Sequence, residues 1–236
     1  MAAGPIIAGP IIAGRAGRLK IAVLISGGGS NLQSLIDHFG PGVAASPIEI
    51  VLVLSNRADA YGLQRATAAG LPVKVIEHRG FPDRAAFDAA LDGALRAAGA
   101  ELVVLAGFMR LLTPGFIEAW RDRLVNIHPA LLPSFRGLDT HRRALKRGVK
   151  VHGCTVHFVR AEMDTGPIIA QAVVPVEAED TPESLGVRVL AAEHKLYPAA
   201  LRLIADGCVT VEQDRAVVRS APANAVPLFS PPLKAD

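Results

Sequence analysis

Ile21-Ala22-Val23-Leu24-Ile25-Ser26-Gly27-Gly28-Gly29-Ser30-Asn31 is the stretch on which the fold turns. An unbroken apolar run this short, ended by glycines and followed by the amphipathic stretch Ser30 to His38, reads as a buried strand passing straight into a helix. The same alternation continues downstream. Ile48 to Leu54 predicts a second strand, Tyr61 to Ala69 a helix, and Val73 to Ile76 a third strand entered through Pro72. Asp83 to Ala98 has apolar residues at helical spacing and stops before Gly99. Leu102 to Leu105 and Leu124 to Ile127 predict buried strands separated by a helix that starts at Pro114. Val151 to Val159 and Ile168 to Val176 are long enough to pair as a hairpin, with Asp164 in the connection. Thr181 is a cap and Pro182 a first-turn residue for a closing helix that runs to Ala205, before Gly207. Strands alternating with helices give an α/β fold: a single-domain, doubly wound, mostly parallel sheet with helices on both faces. Ligands in such sheets bind at the carboxyl ends of the strands.

The chain has 236 residues, half of them apolar, which supports one sizeable core. The expected division is a flexible tail over residues 1–18, a catalytic domain over 19–210, and a poorly ordered extension over 211–236. The first tail carries a direct repeat, Gly4-Pro5-Ile6-Ile7-Ala8 and Gly9-Pro10-Ile11-Ile12-Ala13. Glycine and proline interrupt it and no basic segment precedes it, which argues against a signal peptide or a membrane span. Net charge is +3, and the basic residues are scattered among acidic ones without a run that would track a phosphate backbone, so nucleic acid is not an expected partner. Cys154 and Cys208 have neither metal-ligand spacing nor the number for a disulfide framework; a reducing cytoplasm and no metal are expected.

The Ser26 to Asn31 loop, between strand and helix, suits one phosphate, because backbone amides and the positive helix end meet there. A dinucleotide fingerprint requires a third glycine where Leu32 stands and an acidic residue at the end of the second strand, where the chain reads Ser55-Asn56-Arg57. Both requirements fail. The alternative is a tight turn that uses glycine for positive φ and binds nothing.

Asn126-Ile127-His128-Pro129 and Asp164-Thr165-Gly166-Pro167 carry the chemistry. Residues two apart on a strand project from one face, so Asn126 and His128 can aim an amide and an imidazole at one point. A carboxylate on a later turn can bias the ring toward its charged form. Such a set suits a reaction that builds negative charge on a carbonyl oxygen, as in acyl or formyl transfer. His128 beside a proline, taken alone, is more often a structural turn residue than a catalyst.

Gly107-Phe108-Met109-Arg110-Leu111-Leu112, Asn126 to Pro133, Gly153-Cys154-Thr155-Val156-His157-Phe158-Val159 and Asp164 to Ile169 together resemble the folate-dependent formyltransferases. With the Ser26 to Leu32 loop, the resemblance runs in unbroken order from about Ile21 to Cys208. It implies a one-carbon transferase of de novo purine biosynthesis, moving the formyl group of the cosubstrate 10-formyltetrahydrofolate to the amine of glycinamide ribonucleotide. Asn126, His128 and Asp164 would be the catalytic trio. Gly29, Ser30 and Asn31 would hold the substrate phosphate, Glu193 would bind the ribose hydroxyls, and Pro129 would also touch the ribonucleotide. Met109, Arg110, Leu111, Leu112, Val159, Arg160 and Met163 would form the folate pocket. A homodimer is left open.

Two departures stand out. Leu190 occupies the position, three before Glu193, where the family places a polar or basic side chain toward the phosphate; Arg188, one turn earlier, is the candidate replacement. Asp139 stands where another polar residue is usual and receives no role. His141 reads as a solvated histidine at a helix start. His152 and His157, on an alternating strand, read as satisfied structural histidines with too little company for a metal. Arg57, Arg136 and Arg142 are candidates for a positive mouth that steers an anionic folate, or for a solvated basic face. Three rival functions remain: a formyltetrahydrofolate hydrolase, which usually carries a domain before its catalytic part; a transfer-RNA formyltransferase, which usually carries one after it; and a non-catalytic folate- or nucleotide-binding module.

Overall fold

The computed structural model describes residues 17–219 and Ser230. Seven strands form one sheet in the order β3-β2-β1-β4-β5-β6-β7: β1 (Leu19–Ile25), β2 (Ile48–Ser55), β3 (Val73–Val75), β4 (Leu102–Leu105), β5 (Leu124–His128), β6 (Val151–Phe158) and β7 (Ile168–Pro175). The first five are parallel, and β6 and β7 run antiparallel to their neighbours. The helices are α1 (Ser30–Phe39), α2 (Tyr61–Ala68), α3 (Arg84–Ala97), α4 (Pro114–Ala119), α5 (Thr140–Arg147) and α6 (Pro182–Ala205).

Alternation along β1 explains the layering. Ile21, Val23 and Ile25 join a core with α1 and α6, while Ala22 and Leu24 join a second core with α3 and α4. A central parallel strand covered on both faces has no solvated side, which is why this run is apolar throughout. Asp83 caps α3 by accepting from the Ala86 amide, and Thr181 and Ser184 form a reciprocal capping box on α6. Fully buried Tyr197 on α6 donates its hydroxyl to the Leu105 and Val125 carbonyls, at 2.9 and 3.2 Å, tying the helix to β4 and β5.

Two regions depart from the sequence expectations. Helix α5 was signalled only by a helix-start histidine, because Thr140 to Arg147 offers only Ala144 and Leu145 as apolar contacts. The extension placed from residue 211 begins with an ordered hairpin, β8 (Val209–Glu212) paired with β9 (Arg215–Val218). Its turn residues Gln213 and Asp214 both take positive φ, a conformation usually advertised by Asn-Gly or Asp-Gly, and no glycine is present to signal it. Val211, Ala216 and Val218 pack against the first core. The tail expected over residues 1–18 lies outside the described residues except for Gly17 and Arg18, whose guanidinium donates to the Ile48 carbonyl. Residues 220–229 and 231–236 lie outside them as well.

Candidate active site

Main chain, with few side chains, builds the first wall of the site. Gly29 caps α1 at φ 70°, and a Cβ there would stand 2.7 Å from the Gly62 Cα. The close approach of α2 therefore accounts for the glycine before any ligand is invoked. No side chain caps α1, so its first amides remain free to meet an anion. Asn31 donates to Glu193 Oε2 at 2.8 Å. Burial pushes the Glu193 carboxyl up, and the Asn31 bond opposes that shift. Ser26 donates to Asn56 Oδ1 at 2.6 Å and accepts from the Met109 amide at 2.8 Å, fastening the glycine loop to the loop after β4. A cavity of about 540 Å³ joins the glycine loop to Met109, Arg110, Asn56, Arg57 and His78.

The second wall is made of side chains. Asn126 and His128 share one face of β5, and their antiparallel partners on β6 are His157 and Thr155. His128 is buried. Its Nε2 lies 3.0 Å from the Phe135 carbonyl, an acceptor, which assigns the proton to that nitrogen and leaves Nδ1 facing Asp164 Oδ2 at 3.4 Å. That gap exceeds the roughly 2.7–2.9 Å of a tight charge-assisted bond, so Nδ1 retains capacity for another partner. Asp164 sits at φ 55°, and its Oδ2 accepts from the Gly137 amide at 2.8 Å. Gly166 permits this turn: a Cβ on it would fall 1.8 Å from the Phe158 carbonyl oxygen. Asn126, His128 and Asp164 thus meet at one corner, outside the lining of the cavity beside the glycine loop.

Of the residues expected to form the folate pocket, Met109, Leu111 and Met163 are large apolar side chains exposed to solvent, whereas Leu112 and Val159 pack on the second core. Arg160 is committed elsewhere. Its Nη2 donates to Asp122 at 2.6 Å and its Nε to Asp214 at 2.7 Å, so the guanidinium braces the loop against the C-terminal hairpin. Pro129 is half-buried directly after His128.

Several other expectations need correcting. Arg188 does not replace the phosphate contact missing at Leu190: it is held by Asp180 at 2.8 Å, by Glu177, and by the Pro175 carbonyl, and it depresses the Asp180 carboxyl strongly. His141 stands in the first turn of α5, as expected, but is partly buried instead of fully solvated. Its ring stands 5.4 Å from that of His152 and its edge would touch a Cβ at Gly186, and burial lowers its pKa. Nor is His152 satisfied, since no well-formed hydrogen bond reaches either ring nitrogen and burial lowers its pKa to about 4. Arg57, Arg136 and Arg142 pair with Asp59, Glu162 and Asp139, which weakens the positive mouth. Among the described residues no cluster of His, Cys, Asp or Glu could hold a metal, and no helix is long and apolar enough to cross a membrane.

Sequence reasoning missed Thr155, whereas His157 is the satisfied histidine expected, with the Phe158 carbonyl 2.9 Å from its Nδ1 and the Asn126 amide 3.3 Å from its Nε2. Thr155 Oγ1 donates to the Ala130 carbonyl at 2.7 Å and accepts from the Leu132 amide at 3.0 Å, shaping the loop that leaves His128. Its position opposite His128 depends on the β5–β6 register, which no local pattern reveals.

Residues 19–201 match the formyl transferase family model. The trifunctional purine biosynthetic protein adenosine-3 of Gallus gallus is 50% identical over 194 residues, which is 82% of this chain and 19% of that protein, so the chain spans about a fifth of its length. Phosphoribosylglycinamide formyltransferase of Escherichia coli K12 is 43% identical over 198 residues, 84% of this chain and 92% of that one. Among solved structures, glycinamide ribonucleotide transformylase 1 of Symbiobacterium toebii superposes with a TM-score of 0.83 at 48% identity, covering 87% of this chain and 96% of its own. Fold, motif order and sequence similarity agree over the same residues, and the chain belongs to the formyl transferase family.

Proposed function

We propose that the protein transfers the formyl group of 10-formyltetrahydrofolate to the primary amine of glycinamide ribonucleotide, as a cytoplasmic enzyme of purine biosynthesis. The observation that carries the mechanism is the meeting of Asn126, His128 and Asp164 at one corner, with His128 Nδ1 3.4 Å from Asp164 Oδ2. Support for formyl transfer to the ribonucleotide comes from the names of the relatives that match most of their own length, and the folate donor follows from the family resemblance. The α1 amides and Asn31 take the phosphate, Glu193 the ribose hydroxyls, and the exposed Met109, Leu111 and Met163 are covered by the apolar part of the folate.

In this reading the amine attacks the formyl carbon and the carbonyl oxygen gains negative charge. Asn126 donates to that oxygen, and a protonated His128 donates its Nδ1–H, because Nε2–H stays on the Phe135 carbonyl, which keeps the ring from turning. Asp164, fixed by the Gly137 amide, pairs with the imidazolium and passes the amine proton through water to the folate nitrogen as its bond to the formyl carbon breaks. The nitrogen–carbon bond to the ribonucleotide remains. Mixing the protein with 10-formyltetrahydrofolate and following absorbance while the ribonucleotide is added tests the proposal. Cofactor turnover that depends on the ribonucleotide is expected; turnover without it would make the protein a hydrolase, and none at all would make it a binding module.

A further inference from the structure

We infer that His157 is a positioning residue for this reaction, holding the carboxamide of Asn126 so that its amide nitrogen, and not its oxygen, is presented to the reacting carbonyl. The inference rests on the role given to Asn126 above and adds a reason why that side chain is oriented for it. An asparagine amide has a donor end and an acceptor end of almost equal shape. Only the donor end stabilises a developing oxyanion, and the acceptor end would repel it, so whatever fixes the choice acts directly on catalysis.

Geometry makes that choice. His157 lies directly across the antiparallel pair from Asn126, and directly opposed residues on one face are near enough to bond. The Asn126 amide nitrogen stands 3.3 Å from His157 Nε2. The other ring nitrogen, Nδ1, is 2.9 Å from the Phe158 carbonyl, an oxygen that only accepts, so Nδ1 carries the proton. A neutral ring protonated on Nδ1 has its lone pair on Nε2, and that lone pair accepts one amide hydrogen of Asn126. The second hydrogen is left for the substrate.

The ring's surroundings keep it neutral. It is 1% exposed, and burial lowers its pKa to about 4. Asp164 Oδ1 approaches Nε2 only to 3.9 Å, beyond hydrogen-bonding range, and so does not hold a proton there. A protonated Nε2 would donate, turning the Asn126 oxygen toward itself and reversing the amide.

The test is a set of steady-state measurements on His157→Leu, His157→Gln and Asn126→Ala, with the double variant His157→Leu/Asn126→Ala. His157→Leu is expected to lower kcat about tenfold, part of the loss known for removal of an oxyanion donor, with both KM values within about threefold. His157→Gln, whose amide oxygen reaches the Nε2 position, should recover most of that loss. In the Asn126→Ala background His157→Leu should cost less than about twofold, because nothing remains to be positioned. Unchanged kcat in His157→Leu, or an equal loss in both backgrounds, overturns the inference while leaving formyl transfer intact. Side-chain amide NMR reads the bond even if no variant turns over. One Asn126 NH₂ proton should be shifted downfield and protected from solvent exchange in the wild type and lose both features in His157→Leu; a wild-type pair with neither feature overturns the inference whatever the activity. Thermal melts and the Gln variant separate these results from a folding defect.

Discussion

In β1, β2 and β4 the only buried polar side chain is Ser55, whereas β5 and β6 bury His128, His152, Thr155 and His157 beside the half-buried Asn126. Strands β1, β2 and β4 lie beneath helices on both faces and leave a ligand little but main chain at their ends: glycine amides, a helix terminus and one buried carboxylate from α6. The β5–β6 pair, where the sheet turns antiparallel, is covered at its active end by the loop 129–139, whose carbonyls and amides bond the side chains beneath. Recognition and chemistry are therefore built from different materials. Damage to the first wall should appear mainly in KM for the ribonucleotide, and damage to the second mainly in kcat.

The largest expected effect belongs to the second wall. His128→Ala and Asn126→Ala should each lower kcat at least about a hundredfold, in line with the roughly 2.7–4 kcal/mol lost with one oxyanion donor. Near-normal turnover in His128→Ala, measured at saturating substrates, would break the comparison at once. Gly29→Ala tests the first wall. The left-handed backbone at this position costs an alanine about 1–2 kcal/mol, and its Cβ would press on the Gly62 Cα, so the loop must shift. We expect KM for the ribonucleotide to rise about tenfold with kcat changed less than about threefold. Equal losses in both constants would show that the two walls do not act separately.

Glu193 supplies a pH-dependent test. Its carboxyl is pushed up by burial, so in the folded protein it releases its proton at higher pH than in the unfolded chain. Between the two values the folded state binds more protons, and stability falls as pH rises through that window. Glu193→Gln should therefore raise the melting temperature at neutral pH, with the gain fading once pH drops below the ordinary carboxylate range. The same change should weaken the ribonucleotide, since a carboxylate accepts from two ribose hydroxyls better than an amide does. A variant equally stable at every pH would mean that the buried carboxylate carries no desolvation cost.

Most of the sheet was legible because its signals are local. Apolar runs such as Ile21 to Ile25, caps such as Asp83 and Thr181, and glycines before α1 each state their structure within a few residues. That Asn126, His128 and Asp164 come together was legible only through motif order, since the approach of Asp164 to His128 depends on a loop that Gly166 and Gly137 shape from outside. His157 looked structural because its meaning lies in register: the sequence gives no sign that it faces Asn126 across the ladder. The carboxylate partners of Arg160 and Arg188 were hidden for a related reason. A long flexible cation takes the nearest carboxylate, and Asp214 and Asp180 are brought near by turns with no strong sequence signature.

The smallest effect is the one that sharpens the boundary between the walls. Arg160 opens the loop that carries Asp164, and its guanidinium is divided between Asp122 and Asp214, the latter on the turn of the β8–β9 hairpin. Asp214 is half exposed, so its ion pair is worth no more than about 1 kcal/mol. Asp214→Asn should leave Asp122 holding the arginine, lower the melting temperature by less than about 4 °C, and raise KM for the folate about twofold. Arg160→Ala removes both contacts and should do more of the same. If Arg160 instead met the folate itself, Asp214→Asn would free a cation for an anionic ligand and tighten folate binding. A fall in that KM would overturn the assignment of Arg160 as a brace and return it to the folate pocket.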